Sequence, residues 1–230
     1  MDGGGADEAE AKGPDRAEAS VLATERIEGA ASGERLVLFT DAVTAISITL
    51  LILPLVDLVP ETASAHEHAS EVITGHLDQI WSFVLSFAVI ANIWREHHRS
   101  FSSLATVTRP LMGWNMGWLL SVVVLPLPTE MIGAFGRDRF VAVFYYATLL
   151  AGMVCRSAML GILKATPGLL EDDGEESRSR LRESCTRSYL NVVVLVIALA
   201  IAVAVPALQY YSLVLLVLPH RMLLGGRRIR

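Results

Sequence analysis

Long hydrophobic segments alternate with short polar segments along most of this chain. Each hydrophobic segment is close in length to the stretch of about 20 residues with which an α-helix crosses a bilayer. Prolines or clusters of charged residues separate the segments, which fits the local rules for helix ends. The pattern predicts an all-α integral membrane protein with six transmembrane helices, at residues 36–53, 77–93, 110–127, 140–163, 189–205 and 207–224.

The composition supports the membrane class and divides the chain into three regions. Hydrophobic residues make up 53% of the 230 residues, and the mean hydropathy is +0.47, whereas an average soluble domain is less apolar. Residues 1–30 are instead rich in Gly, Ala, Glu and Asp, and such a segment cannot bury enough surface to offset its chain entropy. We predict a disordered acidic tail at 1–30, a transmembrane domain at 31–224 and a basic tail at 225–230.

Lys and Arg residues are concentrated in alternate connections, and this asymmetry predicts the orientation of the helices in the membrane. Basic residues follow the second and fourth predicted helices and recur in the C-terminal tail. The connections after the first and fifth helices contain none, and the connection after the third contains only Arg137 and Arg139. We therefore expect a multi-pass protein of the cell membrane with both termini in the cytoplasm.

The first hydrophobic segment carries polar residues that a helix surrounded only by lipid would not tolerate at low cost, above all Asp41. At about 100° per residue, Ile46, Leu50 and Leu53 lie within about 60° of one another, whereas Asp41 lies about 140° from Ile46. The segment therefore has one apolar stripe, bordered by Thr49, and a separate face that directs an ionisable side chain toward other helices.

Three motifs in the first half of the chain carry a family resemblance. They are Arg35-x-x-x-Phe39-Thr40-Asp41, Ser86-Phe87 followed by Trp94-x-x-His97-His98, and Trp114-Asn115 followed by Leu125-Pro126-Leu127-Pro128-Thr129. In order and spacing these motifs resemble the first three helices of the transmembrane protein 175 family of potassium channels. Two positions depart from the family's usual pattern: Thr40 replaces Ser, which keeps the hydroxyl group, and Leu127 replaces Phe.

The resemblance implies a homotetrameric cation channel that conducts passively, prefers potassium and lines its pore with the first helix. In this arrangement Ile46, Leu50 and Leu53 form an apolar constriction, and Thr49 is the candidate for selectivity. An apolar ring favours the ion that loses its water at lower cost, which is potassium rather than sodium. The expected partners are further copies of the chain, the lipid bilayer and potassium as the permeant ion; we expect no cofactor, metal or nucleic acid.

A second group of residues lies near the predicted cytoplasmic ends of the first three helices. An aspartate inside a membrane helix is costly unless it is paired or hydrogen-bonded, and Arg, His, Trp and Asn side chains nearby are available donors. We predict a structural polar network that holds the first helix against the second and third. Its members are Arg35, Phe39, Thr40, Asp41, Trp94, His97, His98 and Asn115.

Two alternatives come from other functional classes. In a secondary transporter or proton-leak pathway, Asp41, His97 and His98 would act as a relay; in a non-conducting scaffold, the apolar stripe would be ordinary helix packing. An enzyme is not indicated. Glu96-His97-His98 lacks the His-Glu-x-x-His spacing of a helical zinc site, and the sequence contains no phosphate-binding loop or nucleophile motif.

Overall fold

A computed structural model of the protein describes residues 16–66, 68–135, 138–170 and 174–204. Over these ranges the chain is almost entirely α-helical, which confirms the predicted fold class. The helices are α1 (Arg16–Leu50), α2 (Leu53–Ser64), α3 (Glu71–Thr74), α4 (Leu77–Phe101), α5 (Arg109–Val124), α6 (Pro126–Phe135), α7 (Arg139–Ala165) and α8 (Glu175–Ala204), with a 3-10 turn at Pro167–Leu169.

Among the residues that the structure describes, five helical stretches are long and apolar enough to cross a membrane, judged by length and composition. They are Ser32–Ser64, Leu77–Phe101, Arg109–Phe135, Arg139–Ala165 and Glu175–Ala202. These stretches correspond to the first five predicted helices, and they make the chain a multi-pass membrane protein. The sixth predicted helix, residues 207–224, and the basic tail at 225–230 lie outside the described residues.

The N-terminal boundary differs from the prediction. Helix α1 begins at Arg16, so residues 16–30 are helical where we predicted a disordered tail, while residues 1–15 lie outside the described ranges. This stretch is rich in Ala, Glu and Arg, which are good helix formers. Because it is continuous with the hydrophobic part of α1, it extends an existing helix and avoids the cost of nucleating a new one.

Two of the membrane stretches are divided at prolines. Helix α1 ends at Leu50, and Pro54 lies in the first turn of α2. Proline has no backbone N–H, and at this position the helix offers no acceptor for one, so no hydrogen bond is lost. Between them, the amide of Ile52 donates to the carbonyl of Thr49 at 3.4 Å, an i to i−3 bond that tightens the last turn. Leu53 therefore begins α2, and it does not continue one uninterrupted helical stripe with Ile46 and Leu50 as the sequence arithmetic assumed.

The helices pack closely where small residues face each other. Helix α7 packs between α5 and α8, and α1 packs against α4 and α5. A Cβ atom added at Gly152 of α7 would overlap the side chain of Ser121 on α5, and one added at Gly117 would lie 3.0 Å from the Cys155 sulfur. Such contacts let helix backbones approach closely, which is how membrane helices associate without a hydrophobic driving force.

Backbone contacts bring three separate parts of the chain together at one end of the bundle. A Cβ at Gly33, near the start of the hydrophobic part of α1, would collide with the carbonyl of Leu104 in the α4–α5 connection. The amide of Ala105 in the same connection donates to the carbonyl of Leu169, between α7 and α8, at 2.8 Å. The two connections that follow the second and fourth predicted helices, both rich in arginine or lysine, therefore lie at the same end as Gly33.

The packing between α5 and α7 predicts different effects for two glycine substitutions on one helix. Gly152→Ala should lower the free energy of unfolding by about 1–3 kcal/mol, because the new methyl group forces the Ser121 side chain to move. Gly161→Ala should be neutral or stabilising by up to about 1 kcal/mol, because nothing lies within 4 Å of its added Cβ and alanine favours the helix. Thermal unfolding in detergent measures both, and equal effects would contradict this packing.

Candidate functional site

Asp41 joins α1 to α4 through both of its carboxylate oxygens. Trp94 Nε1 donates to Oδ1 at 2.7 Å, and His98 Nδ1 lies 2.9 Å from Oδ2. Trp94 and His98 are four residues apart on α4, so they project from the same side of that helix. An ionised carboxylate only accepts hydrogen bonds, so this contact selects the form of His98 that carries hydrogen on Nδ1. The charge of Asp41 is thereby held by two donors inside an otherwise apolar helix.

Thr40 and Asn115 form a second link, between α1 and α5. The amide Nδ2 of Asn115 donates to Thr40 Oγ1 at 2.9 Å, and Thr40 Oγ1 donates to the carbonyl of Leu36 at 2.8 Å. Thr40 and Asn115 are both fully buried. A buried polar group must be hydrogen-bonded or lose the free energy of its hydration, so these bonds fix how α1 is rotated against α5.

His97 belongs to this second link and not to the first. Its Nε2 lies 3.1 Å from Asn115 Oδ1, an acceptor, so the nitrogen donates. Its ring stacks between Phe101 and Trp118, with ring centroids 4.5 and 4.1 Å apart. The two adjacent histidines of α4 therefore serve different contacts, and His97 is enclosed by aromatic side chains.

Two of the predicted network residues lie apart from these contacts. Arg35 is exposed and makes no hydrogen bond or ion pair with any residue that the structure describes, and Phe39 is exposed as well. At about 100° per residue, they lie about 120° and about 160° around α1 from Asp41, so they face away from α4 and α5. A structural role for Arg35 and Phe39 stays a prediction, and it would require contacts beyond one copy of the described chain.

The four predicted constriction residues are largely uncovered in a single chain. Ile46 is 59% exposed, Leu50 41% and Leu53 51%. Thr49 is exposed too, and its hydroxyl donates to the carbonyl of Ile46 at 2.7 Å, which leaves the oxygen free to accept. Thr40 and Asp41 are thus packed against α4 and α5, whereas the apolar stripe of α1 faces away from its own chain.

Sequence reasoning missed a buried ionic cluster on another side of α4. Arg156 Nη2 of α7 donates to the carbonyl of Glu96 and to Ser100 Oγ, both at 3.1 Å, and lies 3.5 Å from Glu96 Oε2. Arg187 Nη1 of α8 donates to Glu96 Oε1 at 3.1 Å. A signal was available, because Arg156 is the one charged residue in the predicted helix 140–163, and a charge within a membrane helix requires a partner.

A smaller buried network unites two motif residues to which the sequence analysis gave no role. Ser86 Oγ lies 3.1 Å from the hydroxyl of Tyr145 and accepts a hydrogen bond from Thr129 Oγ1 at 2.9 Å. These three side chains join α4, α6 and α7. Together with the contacts of Asp41 and Asn115, they show that the motif residues meet in space as well as in sequence order.

The region that carries the motifs also matches a family of known proteins. The family model described as "Endosomal/lysosomal potassium channel TMEM175" matches residues 35–126, which include both links from α1 to its neighbours. Residues 35–126 therefore resemble the TMEM175 family. A solved structure agrees in fold: the crystal structure of a lysosomal potassium-selective channel TMEM175 homolog from Chamaesiphon minutus superposes with a TM-score of 0.68 at 20% identity, over 84% of this chain and 98% of that one.

Curated relatives of this chain carry channel names. A protein of Streptomyces collinus named as a potassium channel is 34% identical over 118 residues, which is 50% of this chain and 56% of the relative. A mouse protein named as an endosomal/lysosomal proton channel is 27% identical over 159 residues, which is 63% of this chain and 32% of the mouse protein. The chain spans about half the length of the first bacterial relatives it matches.

The link through Thr40 predicts a contrast between two threonine-to-valine substitutions on α1. Thr40→Val removes the oxygen that accepts from Asn115, and the buried amide then lacks a partner, so the free energy of unfolding should fall by about 1–3 kcal/mol. Thr49→Val changes the same group, but it removes only a bond to its own helix backbone and should cost well under about 1 kcal/mol. Thermal unfolding measures both, and equal losses would contradict the role of Thr40.

Proposed function

We propose that this protein is a potassium-preferring cation channel that conducts passively through a homotetrameric pore lined by α1. The observation that carries this proposal is the two-sided character of α1. Thr40 and Asp41 tie one side of the helix to α4 and α5, whereas the stripe containing Ile46 and Leu50 has little cover from its own chain. An uncovered apolar stripe on a membrane helix faces either lipid or other helices, and the channel names of the relatives favour further copies of α1.

The side chains on this stripe suit a narrow pore. Four copies of α1 around one axis would bring rings of Ile46 and Leu50 together, and such apolar rings gate by excluding water. Thr49 on the same side offers a hydroxyl oxygen that would replace part of the hydration shell of an ion. Leu53, beyond the break between α1 and α2, would form a third apolar ring at a different angle. Potassium loses its water more readily than sodium, so this pore would prefer potassium.

The links on the other side of α1 would set which residues face the axis. A rotation of the helix by one residue, about 100°, would replace Ile46 and Leu50 at the axis by other side chains. Two bonds to Asp41 and one to Thr40 oppose that rotation from two directions, through α4 and through α5. The polar residues of the motif would therefore act on conduction by positioning α1, without touching the ion.

The proposed orientation places the N-terminal part of the membrane domain at the cytoplasmic face. Gly33 meets the α4–α5 connection, which in turn bonds to the connection between α7 and α8. Both connections carry the Lys and Arg residues that favour the cytoplasmic side. We propose the same side for the C-terminus and the cell membrane as the location.

Potassium flux into liposomes tests the channel proposal. Wild-type protein should take up potassium down its gradient faster than sodium. Leu50→Asn places an amide in the proposed constriction, which should make the pore easier to wet, and should change the flux or the potassium-to-sodium ratio by about tenfold or more. Oligomer mass in detergent should correspond to four chains.

Leu120→Asn is the matched control, because Leu120 is an exposed leucine on α5. This variant should leave the potassium-to-sodium ratio unchanged. A silent wild type, or equal responses to the two asparagine substitutions, would argue against a pore lined by α1.

A proton pathway is the second candidate, and one contact favours it. His98 and Asp41 are 2.9 Å apart with side-chain exposures of 45% and 24%, so neither group is enclosed by its own chain. The mouse relative is named as a proton channel. The relay would contain only Asp41 and His98, and not His97 as the sequence suggested. His97 bonds to Asn115 and stacks between two aromatic rings instead of contacting Asp41.

Paired histidine substitutions separate the two candidates. If Asp41 and His98 form a proton relay, a pH gradient alone should drive proton flux, and His98→Gln should reduce it by about tenfold or more because the titrating group is lost. His97→Gln should leave that proton flux nearly unchanged. Under the channel proposal, potassium flux should exceed proton flux in wild type and should persist in both histidine variants, with its rate changed where a bond that positions α1 is lost. A pH-sensitive dye inside the liposomes reports the result.

A further inference from the structure

One turn of α4 forms hydrogen bonds and ion pairs with other helices on two of its sides. Trp94 and His98 hold Asp41 of α1, as described above, whereas Glu96 between them holds Arg156 of α7 and Arg187 of α8. At about 100° per residue, Glu96 lies about 160° around the helix from both Trp94 and His98. The proposed pore helix and the outer pair α7–α8 are therefore attached to opposite sides of the same helical turn.

The attachment on the outer side resists displacement. Arg156 is 4% exposed, and the carboxylate side chain of Glu96 is 11% exposed. Removing one partner of a buried ion pair leaves the other charge without compensation, which is among the most costly changes in a folded protein. Arg156 also donates to the backbone carbonyl of Glu96 and to Ser100, so it fixes the helix backbone as well as the side chain.

We propose that Glu96 is a positioning residue for the pore helix. Through Arg156 and Arg187 it sets the rotation and depth of the α4 turn, so that Trp94 and His98 meet the carboxylate of Asp41. The coupling between Glu96 and Asp41 does not depend on the proposed function. Only the statement that α1 lines a pore rests on it. Glu96 touches no part of the apolar stripe, and its effect on conduction is transmitted through the bonds to Asp41.

A double-mutant cycle in thermal unfolding tests the coupling without any measurement of conduction. Asp41 and Glu96 share no bonding partner, and substitutions at sites of that kind normally have additive effects. If Glu96 positions the partners of Asp41, Glu96→Gln already weakens the bonds that Asp41→Asn would remove. The double variant should then lose less in Tm than the sum of the two single losses. Additive losses would overturn the proposal.

Glu183→Gln is the matched control for this cycle. Glu183 pairs with the same Arg187 but lies on α8, one turn away, and is exposed. Its substitution should combine additively with Asp41→Asn, and equal non-additivity for Glu183 would overturn the special role of Glu96. If Glu96→Gln fails to fold, Glu96→Asp, which keeps the charge on a shorter side chain, takes its place in the same cycle.

The effect on conduction is a separate arm of the experiment. In the liposome assay, Glu96→Gln should change potassium flux or the potassium-to-sodium ratio by about 2- to 30-fold, the range expected for energetic coupling at a distance, while Glu183→Gln leaves both unchanged. If the cycle is non-additive but the wild-type protein conducts no ions, the proposed function is refuted, while the coupling between Glu96 and Asp41 stands. Unchanged flux in Glu96→Gln beside a conducting wild type would overturn its positioning role.

A different observation concerns the cavity beside Arg156. The Nε atom of Arg156 is buried and has no hydrogen-bond partner among the residues that the structure describes. Arg156 lines a small cavity whose surface is mostly apolar with a few polar groups, and which has room for about one water molecule. Polar residues lining that cavity are Asn92, Glu96, Ser121, Ser188 and Asn191.

We infer that this cavity binds a neutral hydrogen-bonding molecule, water. Two carboxylates, from Glu96 and Glu183, already balance the two charges of Arg156 and Arg187, so no net charge remains to attract an anion. The bound water accepts from Arg156 Nε–H and donates to neighbouring oxygens, with the amide of Asn191 as one partner. Buried guanidinium groups in a membrane bundle need such a partner, because lipid supplies none.

A map of the purified protein in nanodiscs, at a resolution that shows ordered water, tests this site. A single compact density within hydrogen-bond distance of Arg156 Nε is expected, and Asn191→Leu should remove it while the Arg156 side chain stays ordered. An empty site beside ordered waters elsewhere would overturn the inference. An elongated density continuous with lipid would overturn it as well, because it would indicate a lipid headgroup.

Discussion

The partly buried carboxylate of Asp41 constrains how α1 packs in this protein. Asp41 lies within an apolar helix, where an unpaired charge would cost several kcal/mol or more. The chain meets that requirement with an indole and an imidazole from a single turn of α4, at 2.7 and 2.9 Å. Because those two donors are fixed to a rigid helix, satisfying the charge also fixes the rotation of α1. The side of α1 that remains is apolar, and the proposed pore is built from it.

Helix α4 connects the inner and outer parts of the bundle. Its neighbouring residues make contacts of three kinds: His98 reaches the carboxylate on α1, His97 reaches the amide on α5, and Glu96 reaches two guanidinium groups on α7 and α8. Three consecutive residues on an α-helix point about 100° apart, so one short sequence meets three different surroundings. A displacement of α4 would strain all of these contacts together, and we propose that α1 is coupled to α7 and α8 through this turn.

The sequence by itself determined the membrane class and the positions of the first five hydrophobic helices, and it singled out Asp41 as a residue that needs partners. A bilayer accepts a helix of about 20 mostly apolar residues, and the hydropathy of the sequence measures that apolar character directly. This measurement needs no information about which helices lie next to the segment. Asp41 stood out for the same reason, since a charge within such a segment requires partners. Its partners were predicted from donor chemistry and from the family motifs. In the structure Trp94 and His98 bond to Asp41, whereas Asn115 bonds to the neighbouring Thr40.

Only the tertiary structure decided which polar residues meet which. Adjacent histidines look equivalent in a sequence, but His98 reaches Asp41 while His97 is enclosed between Phe101 and Trp118. Glu96 and Arg156 are 60 residues apart, and their pairing depends on how α4 and α7 cross, which local sequence does not encode. The break before Pro54 likewise changes the direction assigned to Leu53, because angular arithmetic holds only within an uninterrupted helix. The helical period determines the direction of each side chain around its own helix. The packing between helices determines which residues each side chain then contacts.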